Sequence, residues 1–491
     1  MDRQVMRSAS EKKGTDMNKV GVFICNYNKA DFVVKCVESV KGQTFRDLDI
    51  LVVDNASTDD SVQKLRQRYG EEVTIIQNEE NLGGSGGFGR GIRTALDMGY
   101  PYFMLIDNDA VLDSHAVEHL YRYMEAHGDT GICGAEILCM QHPDKIQDLG
   151  GRLDMQDYYM GGVISGLAEL SGNVILECDY VASCAVMART DAVRKFGGFP
   201  EENFIYWDDV EWCTKCWRAG YRVVVNGNAK AYHDFSDRNI RNMFFRYYIN
   251  RNRYKFFTKY LPEEKLEDFY QKITREFFHQ NYAAMNKGKY GTVLTAWNAL
   301  DDFLHGITGK ARDGILVPYA EGTDRLAERV AASDSALIFM PCHAWEDYHC
   351  LNQVLRYLMR HRKELQIMVT FHLEDDTQGR TVIHAPCGAG GLRPIRYTIS
   401  DDSLSTPSGE CITGCPDGYH ESDFDLVFEL CRHVTEIKEN VLPRIYIDQW
   451  RNYVLDEDDY QYFSNYERNL QKFQEMYRPL FAKQIKELRK G

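Results

Sequence analysis

"FMLIDNDAVLD", residues 103–113, is a greasy run that stops abruptly on acid. Phe103 to Ile106 reads as a buried strand, Asp107, Asn108 and Asp109 end it, and Ala110, Val111 and Leu112 resume it. Strands of open α/β sheets end this way, and ligands bind just beyond their carboxyl ends. Two carboxylates one residue apart repel each other unless a positive charge stands beside them. A divalent metal holding a phosphate satisfies that need. An ordinary acidic turn is the alternative.

The neighbouring sequence places this strand in a series. KVGVFIC (19–25), LDILVV (48–53) and VTIIQ (73–77) read as buried strands. Helical spacing follows over 31–43, from about 60, and over 88–98, with Ser57, Thr58 and Asp59 able to cap the second of these. Strands alternating with helices predict a mostly parallel sheet covered on both faces. The strand-like runs between 130 and 240 would complete that sheet, and 209–219 is helical. Residues 241–311 turn helical, and alternation returns from 314. There GILVPY leads to a short helix, and helices are expected near 344–361 and 422–438. Residues 456–491 read as one long terminal helix. The expected organisation is therefore a polar tail (1–17), a catalytic α/β domain (18–240), a helical basic and aromatic segment (241–313), a second, smaller α/β unit (314–455) and a terminal helix (456–491).

Composition narrows the function. The 491 residues exceed one core and suggest two to four domains. A formal charge of −15 excludes a general nucleic-acid binder. No apolar run is long enough to span a bilayer. MDRQVMRSASEKKGTDMNK lacks a signal-type apolar stretch, so the expected location is the cytoplasm, with peripheral contact at the inner membrane face left open. The fourteen cysteines then read as mostly reduced core residues. Cys213 and Cys216 form a CxxC with no nearby Cys or His pair to complete a structural zinc site, and Cys411 and Cys415 form a looser pair.

"NLGGSGGFGRG", residues 81–91, contains Gly84-x-Gly86-x-x-Gly89. This is not a dinucleotide fingerprint. It follows the third strand rather than the first, six residues intervene, and two acids stand where one ribose ligand belongs. Six glycines in eleven residues still need a reason, and close backbone approach to a diphosphate or sugar supplies one. A flexible turn is the other.

Four features together resemble glycosyltransferase family 2, of GT-A fold. They are FICNYNK with VVDNASTDDS, then NLGGSGGFGRG, then LIDNDA, then GGFPEENFIYWDDVEWCTKCWRAGYRV with Tyr232-His233 after it. The resemblance covers roughly residues 17–260 and is most like bacterial galactofuranosyltransferases, with a rhamnosyltransferase-like member as nearest competitor. The family often has Glu-Asp where this chain has Asp208-Asp209, and the galactofuranosyl branch has Asp-Asp. The resemblance implies a metal-dependent, inverting transfer of sugar from a UDP-sugar, such as UDP-galactofuranose, to a glycan or lipid-linked glycan. Rhamnosyl transfer from dTDP-rhamnose is the alternative enzyme reading, and a GT-A scaffold without catalysis the alternative class.

On that implication Asp109, Asp107 and His233 are the expected ligands of a Mn2+ or Mg2+ ion. The imidazole tilts the choice toward manganese. Asp107 would alternatively hold the donor ribose. Asp54 would accept a hydrogen bond from the donor base or merely close its own turn. Asn26 and Asn28 stand beside it, and Gly84, Gly86, Gly87 and Arg90 would meet the diphosphate. Asp208 and Asp209 open a helix, whose positive end keeps carboxylates ionised. Asp209 is the expected general base. Asp208 would hold acceptor hydroxyls, with Trp207 as a flat wall for a sugar ring.

"RNMFFRYYINRNRYKFFTKY", residues 241–260, carries six Arg or Lys and eight Phe or Tyr residues without an acid. It reads either as an interfacial segment beside anionic lipid or as a packed helix whose cationic stems snorkel outward. The acidic cluster Glu374-Asp375-Asp376, His372 and His384 belong to no motif.

Overall fold

The computed structural model describes residues 19–162, 174–234, 242–320, 322, 324–341, 345–372, 398–400, 403–405, 421–431, 433–437, 443–448 and 450–490. The N-terminal tail, Arg241, Cys411, Cys415, His384, the cluster 374–376 and the side chain of His372 lie outside what is described. The chain forms two compact units. The first is residues 1–273, 294–318 and 480–491, and the second is 274–293 and 319–479.

In the first unit, β1 (Val20–Asn26), β2 (Leu48–Asp54), β3 (Val73–Gln77) and β4 (Tyr102–Asp107) run parallel in the order β3-β2-β1-β4. Their continuous apolar runs suit strands buried on both faces. The crossovers are α1 (Ala30–Lys41), α2 (Ser61–Tyr69) and α3 (Gly83–Met98). α1 buries Val33, Cys36, Val37 and Val40 at helical spacing against the sheet. One carboxylate starts two helices, since Asp59 accepts from the backbone N–H of Ala30 at 3.0 Å and of Ser61 at 3.0 Å.

After the short β5 (Ala110–Leu112) and α4 (Ala116–Ala126), the chain adds β6 (Thr130–Cys139), β7 (His142–Asp148), β8 (Gly151–Asp154), β9 (Tyr159–Gly162), β10 (Ile175–Glu177), β11 (Ala185–Arg189), α5 (Thr190–Phe196), α6 (Asp208–Arg218) and β12 (Arg222–His233). β11, β6, β12 and β10 extend the sheet beyond β4. β6, β10, β11 and β12 therefore complete the first sheet, as expected, whereas β8 and β9 pair in a separate two-stranded sheet. The result is the mixed α/β sheet with flanking helices expected of the GT-A fold.

One expectation is corrected here. The glycines do not form a loop before a helix at 88, because α3 already begins at Gly83. Glycine is a poor helix former, so its presence needs tertiary compensation. A Cβ on Gly87 would stand 2.3 Å from Cys25 Sγ, and one on Gly83 would stand 2.0 Å from the Phe204 carbonyl oxygen. The helix lies too close to β1 and to the loop at 204 to carry side chains there.

The second basic-stretch expectation also changes. Within α7 (Met243–Tyr260), Arg246 and Lys259 are half-buried, while Arg251, Arg253 and Lys255 are buried with the aromatic rings rather than snorkelling outward. Their partners are polar groups of the protein, described below.

The second unit has its own sheet and core. β13 (Ser335–Pro341) lies between β14 (Gln366–His372) and β17 (Leu426–Leu430), all parallel, and β18 (Ile445–Ile447) and β19 (Tyr453–Val454) extend it. A separate pair, β15 (Thr398–Ser400) and β16 (Ser403–Ser405), precedes β17. The helix expected over 422–438 is instead β17, flanked by short turns, and GILVPY forms no strand. Leu426, Val427, Phe428 and Leu430 are buried in a central strand, and a short apolar run reads alike for a buried strand or helix. The terminal helix is two, Glu457–Ser464 and Tyr466–Leu488, separated at Asn465.

Candidate active site

Parallel register brings the polar strand ends together. Asn26 pairs with Asp54, and Cys25 with Asp107, at the carboxyl edge of β1, β2 and β4. Asn26 is fully buried and links all three strand ends. Its amide donates to Asp54 Oδ1 at 2.9 Å and Ser57 Oγ at 3.2 Å, and its Oδ1 accepts from Asn108 Nδ2 at 2.8 Å. Asp54 is also fully buried, and its second oxygen accepts from the Ser57 N–H at 3.1 Å. That carboxylate braces its own turn. Asn28 is exposed, and its Oδ1 accepts from the Thr58 N–H at 2.7 Å.

Beyond that edge Asp107, Asp109 and His233 offer ligand atoms that all lie within 4.8 Å of one another. Chain pairing explains why a histidine so distant in sequence arrives there. β12 runs antiparallel to β5 with His233 opposite Ala110, and the Asp234 N–H donates to the Asp109 carbonyl at 3.2 Å. His233 Nε2 lies 3.3 Å from Asp109 Oδ1, and Gln147 contacts the other ring nitrogen at 3.0–3.1 Å. Such an outer partner fixes the ring and frees one nitrogen for a metal. Lys29 supplies positive charge by an ion pair with Asp109.

The carboxyls titrate apart. Burial pushes Asp107 up to about 6, and Asp109 adds to the rise. Burial also acts on Asp109, but the hydrogen bond and charge of His233 together with Lys29 outweigh it and bring it down to about 2. Burial pulls His233 down, yet Asp109 and Asp107 outweigh it and raise its proton affinity above the ordinary value. Two oxygens and one imidazole at this spacing, with an excess of acid, fit a divalent cation.

Asp208 and Asp209 sit at the first turn of α6 but face different surroundings. Asp208 is buried, accepting from Ser85 Oγ at 2.7 Å, and burial raises its pKa. Asp209 is half-buried, and its Oδ1 accepts from the Val210 N–H at 2.8 Å. Burial pushes the Cys184 thiol up, and the charges of Asp107, Asp148, Asp109 and Asp209 add to the rise. Burial likewise pushes the Tyr180 phenol up, with Asp148 and Asp209 adding to it.

The approach to α6 is strained. Phe204, Tyr206 and Trp207 have φ of 68°, 65° and 64°. Each costs roughly 1–3 kcal/mol for a residue with a side chain, so surrounding contacts must impose the conformation. Trp207 is 1 % exposed and its ring packs on Phe256 and Phe257 at centroid distances of 5.2 and 5.6 Å. Its ring is therefore core rather than a wall open to an acceptor sugar, while Ile205 and Tyr206 before it are half-buried. Asp208 likewise has its face occupied by Ser85 rather than by open space.

Of the α3 residues, Gly84 borders open space, a Cβ on Gly86 would meet the Leu82 side chain at 2.4 Å, and Gly87 abuts Cys25. Arg90 is half-buried with an Nε that finds no hydrogen-bond partner among the described residues. As site residues, sequence reasoning passed over Lys29, Ser85 and Gln147, and it read Ser57 only as a cap and Asn108 only as a strand end. Lys29 stands within FICNYNK, three residues past the end of β1, so the rule that ligands gather at strand ends could have found it. Ser85 and Gln147 carry no comparable signal.

Residues 21–157 match the family model described as Glycosyl transferase family 2, and residues 102–372 match Glycosyl transferase family group 2. The chain is 30 % identical over 117 residues to the teichoic acid poly(glycerol phosphate) polymerase of Staphylococcus epidermidis, covering 23 % of this chain and 15 % of that protein. It is 22 % identical over 217 residues to the O-antigen chain rhamnosyltransferase RfbN of Salmonella typhimurium, covering 44 % of this chain and 66 % of that protein. The chain thus spans less than two thirds of either relative's own length. Among solved structures, that of S. aureus TarS aligns with a TM-score of 0.41 at 18 % identity, over 61 % of this chain and 50 % of that one. Because the second family model spans more than half of the chain, and its strand ends carry the acids described above, the protein belongs to glycosyl transferase family group 2 and is a glycosyltransferase.

Proposed function

We propose that the protein transfers a sugar, with inversion, from a UDP-sugar to a hydroxyl of a glycan or lipid-linked glycan, and that the donor is UDP-galactofuranose. The observation that carries the metal-dependent transfer is the convergence of Asp107, Asp109 and His233 within 4.8 Å of one another. The donor sugar rests on the glycine-rich stretch with the Trp207-Asp208-Asp209 triplet, which resembles the galactofuranosyl branch.

In this reading Asp107, Asp109 and His233 hold a divalent cation, manganese in preference to magnesium because of the imidazole. When bound, that cation neutralises charge developing on the leaving diphosphate. Arg90, with its unpartnered Nε, and the open edge at Gly84 flank the diphosphate from α3. Asn26, Asn28 and Asp54 shape the nucleotide side through the turn they brace. Asp209 takes the acceptor proton while the hydroxyl attacks the anomeric carbon from the face opposite the diphosphate. A single base without a second enzymic nucleophile supports one displacement, hence inversion.

Asp209→Asn keeps shape and loses the proton acceptor. UDP and manganese affinity should hold, and turnover should fall roughly 100- to 10,000-fold. Wild-type turnover in this variant would place the base elsewhere. The donor is tested by comparing UDP-galactofuranose with dTDP-rhamnose and UDP-glucose. The second reading, rhamnosyl transfer, is favoured by the similarity to a rhamnosyltransferase, and faster turnover of dTDP-rhamnose would establish it.

A further inference from the structure

The base reading makes one loop decisive, and the helix behind it is not part of that reading. Residues 202–206 expose five consecutive carbonyls, and each is met by a donor from outside the loop. Glu202 O accepts from the Gly309 N–H at 2.7 Å, and Phe204 O from the Ser85 N–H at 3.1 Å. The other three converge on one side chain of α7. The two N–H groups of Asn252 Nδ2 are shared among the carbonyls of Asn203 at 3.0 Å, Ile205 at 2.8 Å and Tyr206 at 3.0 Å. Arg251 donates to Asn203 O as well, at 2.9 Å, and its Nε donates to Asn252 Oδ1 at 3.1 Å. That last bond settles the amide's orientation, because only the oxygen can accept from a guanidinium, which leaves the NH2 for the loop.

This grip falls where the backbone is least comfortable. The clasped carbonyls bracket Phe204 and Tyr206, both left-handed, and Trp207, the third such residue, directly precedes Asp208 and Asp209. The same helix continues the hold on both sides. Lys255 Nζ donates to Glu202 at 2.6 Å and Asn203 Oδ1 at 2.7 Å, while Lys259 and Tyr260 reach the buried Glu211 of α6 at 2.7 and 3.0 Å. Among the described residues the Trp207 Nε1 finds no hydrogen-bond partner, and its ring packs on Phe256 and Phe257. None of these α7 groups contacts the cation-binding triad in the hydrogen-bond or ion-pair network described.

We infer that Asn252, oriented by Arg251, is a positioning residue that imposes the left-handed loop and thereby aims Asp209 at the acceptor. The inference rests on Asp209 being the base. It gives the basic helix a purpose that neither lipid contact nor simple packing supplies, since its buried donors are matched to the loop's carbonyls.

The test uses the full chain with manganese and UDP-galactofuranose, reading UDP release with water as acceptor, and calorimetry of UDP binding. Asn252→Leu keeps the size and removes the donors. Turnover should fall roughly 10- to 100-fold, the scale of a misplacement of about an ångström, while the Kd for UDP stays within about twofold. Hydrogen exchange over 203–210 should quicken while β1, β2 and β4 stay protected. Asn252→Leu/Asp209→Asn should be no slower than Asp209→Asn alone, because aim has no value once the base is gone. Asn252→Ser, which keeps one short donor, gives the same readings should the leucine variant fail to fold. Multiplying losses in the double variant, or a loss of UDP affinity equal to the loss of turnover, would mean a general structural role and overturn the inference. Wild-type turnover in the Asn252 variants beside a crippled Asp209→Asn would overturn the inference alone. Wild-type turnover in Asp209→Asn would remove the base reading and the inference with it.

Discussion

Gly87 and Cys25 form a pair whose energies can be worked out in advance. A Cβ at Gly87 would lie 2.3 Å from Cys25 Sγ, over an ångström inside the roughly 3.5 Å at which heavy atoms normally touch. Neither element can easily retreat, since β1 is central in the sheet and α3 is held by the Phe204 carbonyl at Ser85. Overpacking of this kind costs about 1–3 kcal/mol, and the better helix propensity of alanine offsets about 0.5–1 kcal/mol. Gly87→Ala should therefore lose about 1–2 kcal/mol. Cys25→Ala removes one heavy atom of a half-buried side chain and should lose about 1 kcal/mol or less. In the double variant the new methyl occupies the space the sulfur left, so stability should return to near wild type, a coupling of about 2 kcal/mol. Because the chain has two units, a single global transition would mislead. Hydrogen exchange of β1 and β2 amides under increasing urea isolates the right unit. Additive losses in the double variant would refute the close-approach explanation of the glycines. Gly84→Ala serves as the contrast: with open space around it, stability should rise by about 0.5–1 kcal/mol, and any accompanying loss of UDP affinity would mark that edge as the donor's.

Metal affinity should depend on pH with a definite sign. Asp107 takes up a proton as pH falls through about 6, and His233 holds one to a higher pH than an ordinary imidazole. A cation must displace both, so Mn2+ binding measured calorimetrically should weaken on acidification, by roughly tenfold per pH unit for each proton displaced. An affinity unchanged between about pH 5.5 and 8 would contradict the triad as ligands. Lys29→Met should tighten manganese binding several-fold, because the ammonium that holds Asp109 competes with the incoming cation. Weaker binding in that variant would show the lysine to be a support of the site.

The catalytic sheet was legible because buried parallel strands are written as unbroken apolar runs, and Asn26, Asp54 and Asp107 end three of them. The acid pair 107/109 stood out for the same reason. His233 depended on the family resemblance; its physical cause, the pairing of β12 with β5, involves strands separated by more than a hundred residues. The glycines of α3 misled, since local propensity favours a loop and only the neighbours of Gly83 and Gly87 explain a helix. Trp207 and α7 misled in a related way. Aromatic and basic composition suggests a surface that meets sugar or lipid, and no composition reveals that backbone carbonyls elsewhere are waiting for donors. β17 shows the limit of periodicity in five residues.

The division of labour between strand ends and α7 has an evolutionary corollary. On the proposed reading the nucleotide side would be assembled from the carboxyl edge of the parallel strands, whereas the loop before Asp208 and Asp209 is held by a helix that follows the sheet in sequence. A lineage could reshape which hydroxyl is glycosylated by drifting in residues 200–210 together with 247–260, while donor chemistry stayed untouched. Changes confined to one of those two stretches would be penalised and paired changes tolerated. Acceptor range in such enzymes would then diversify as a linked cassette rather than position by position.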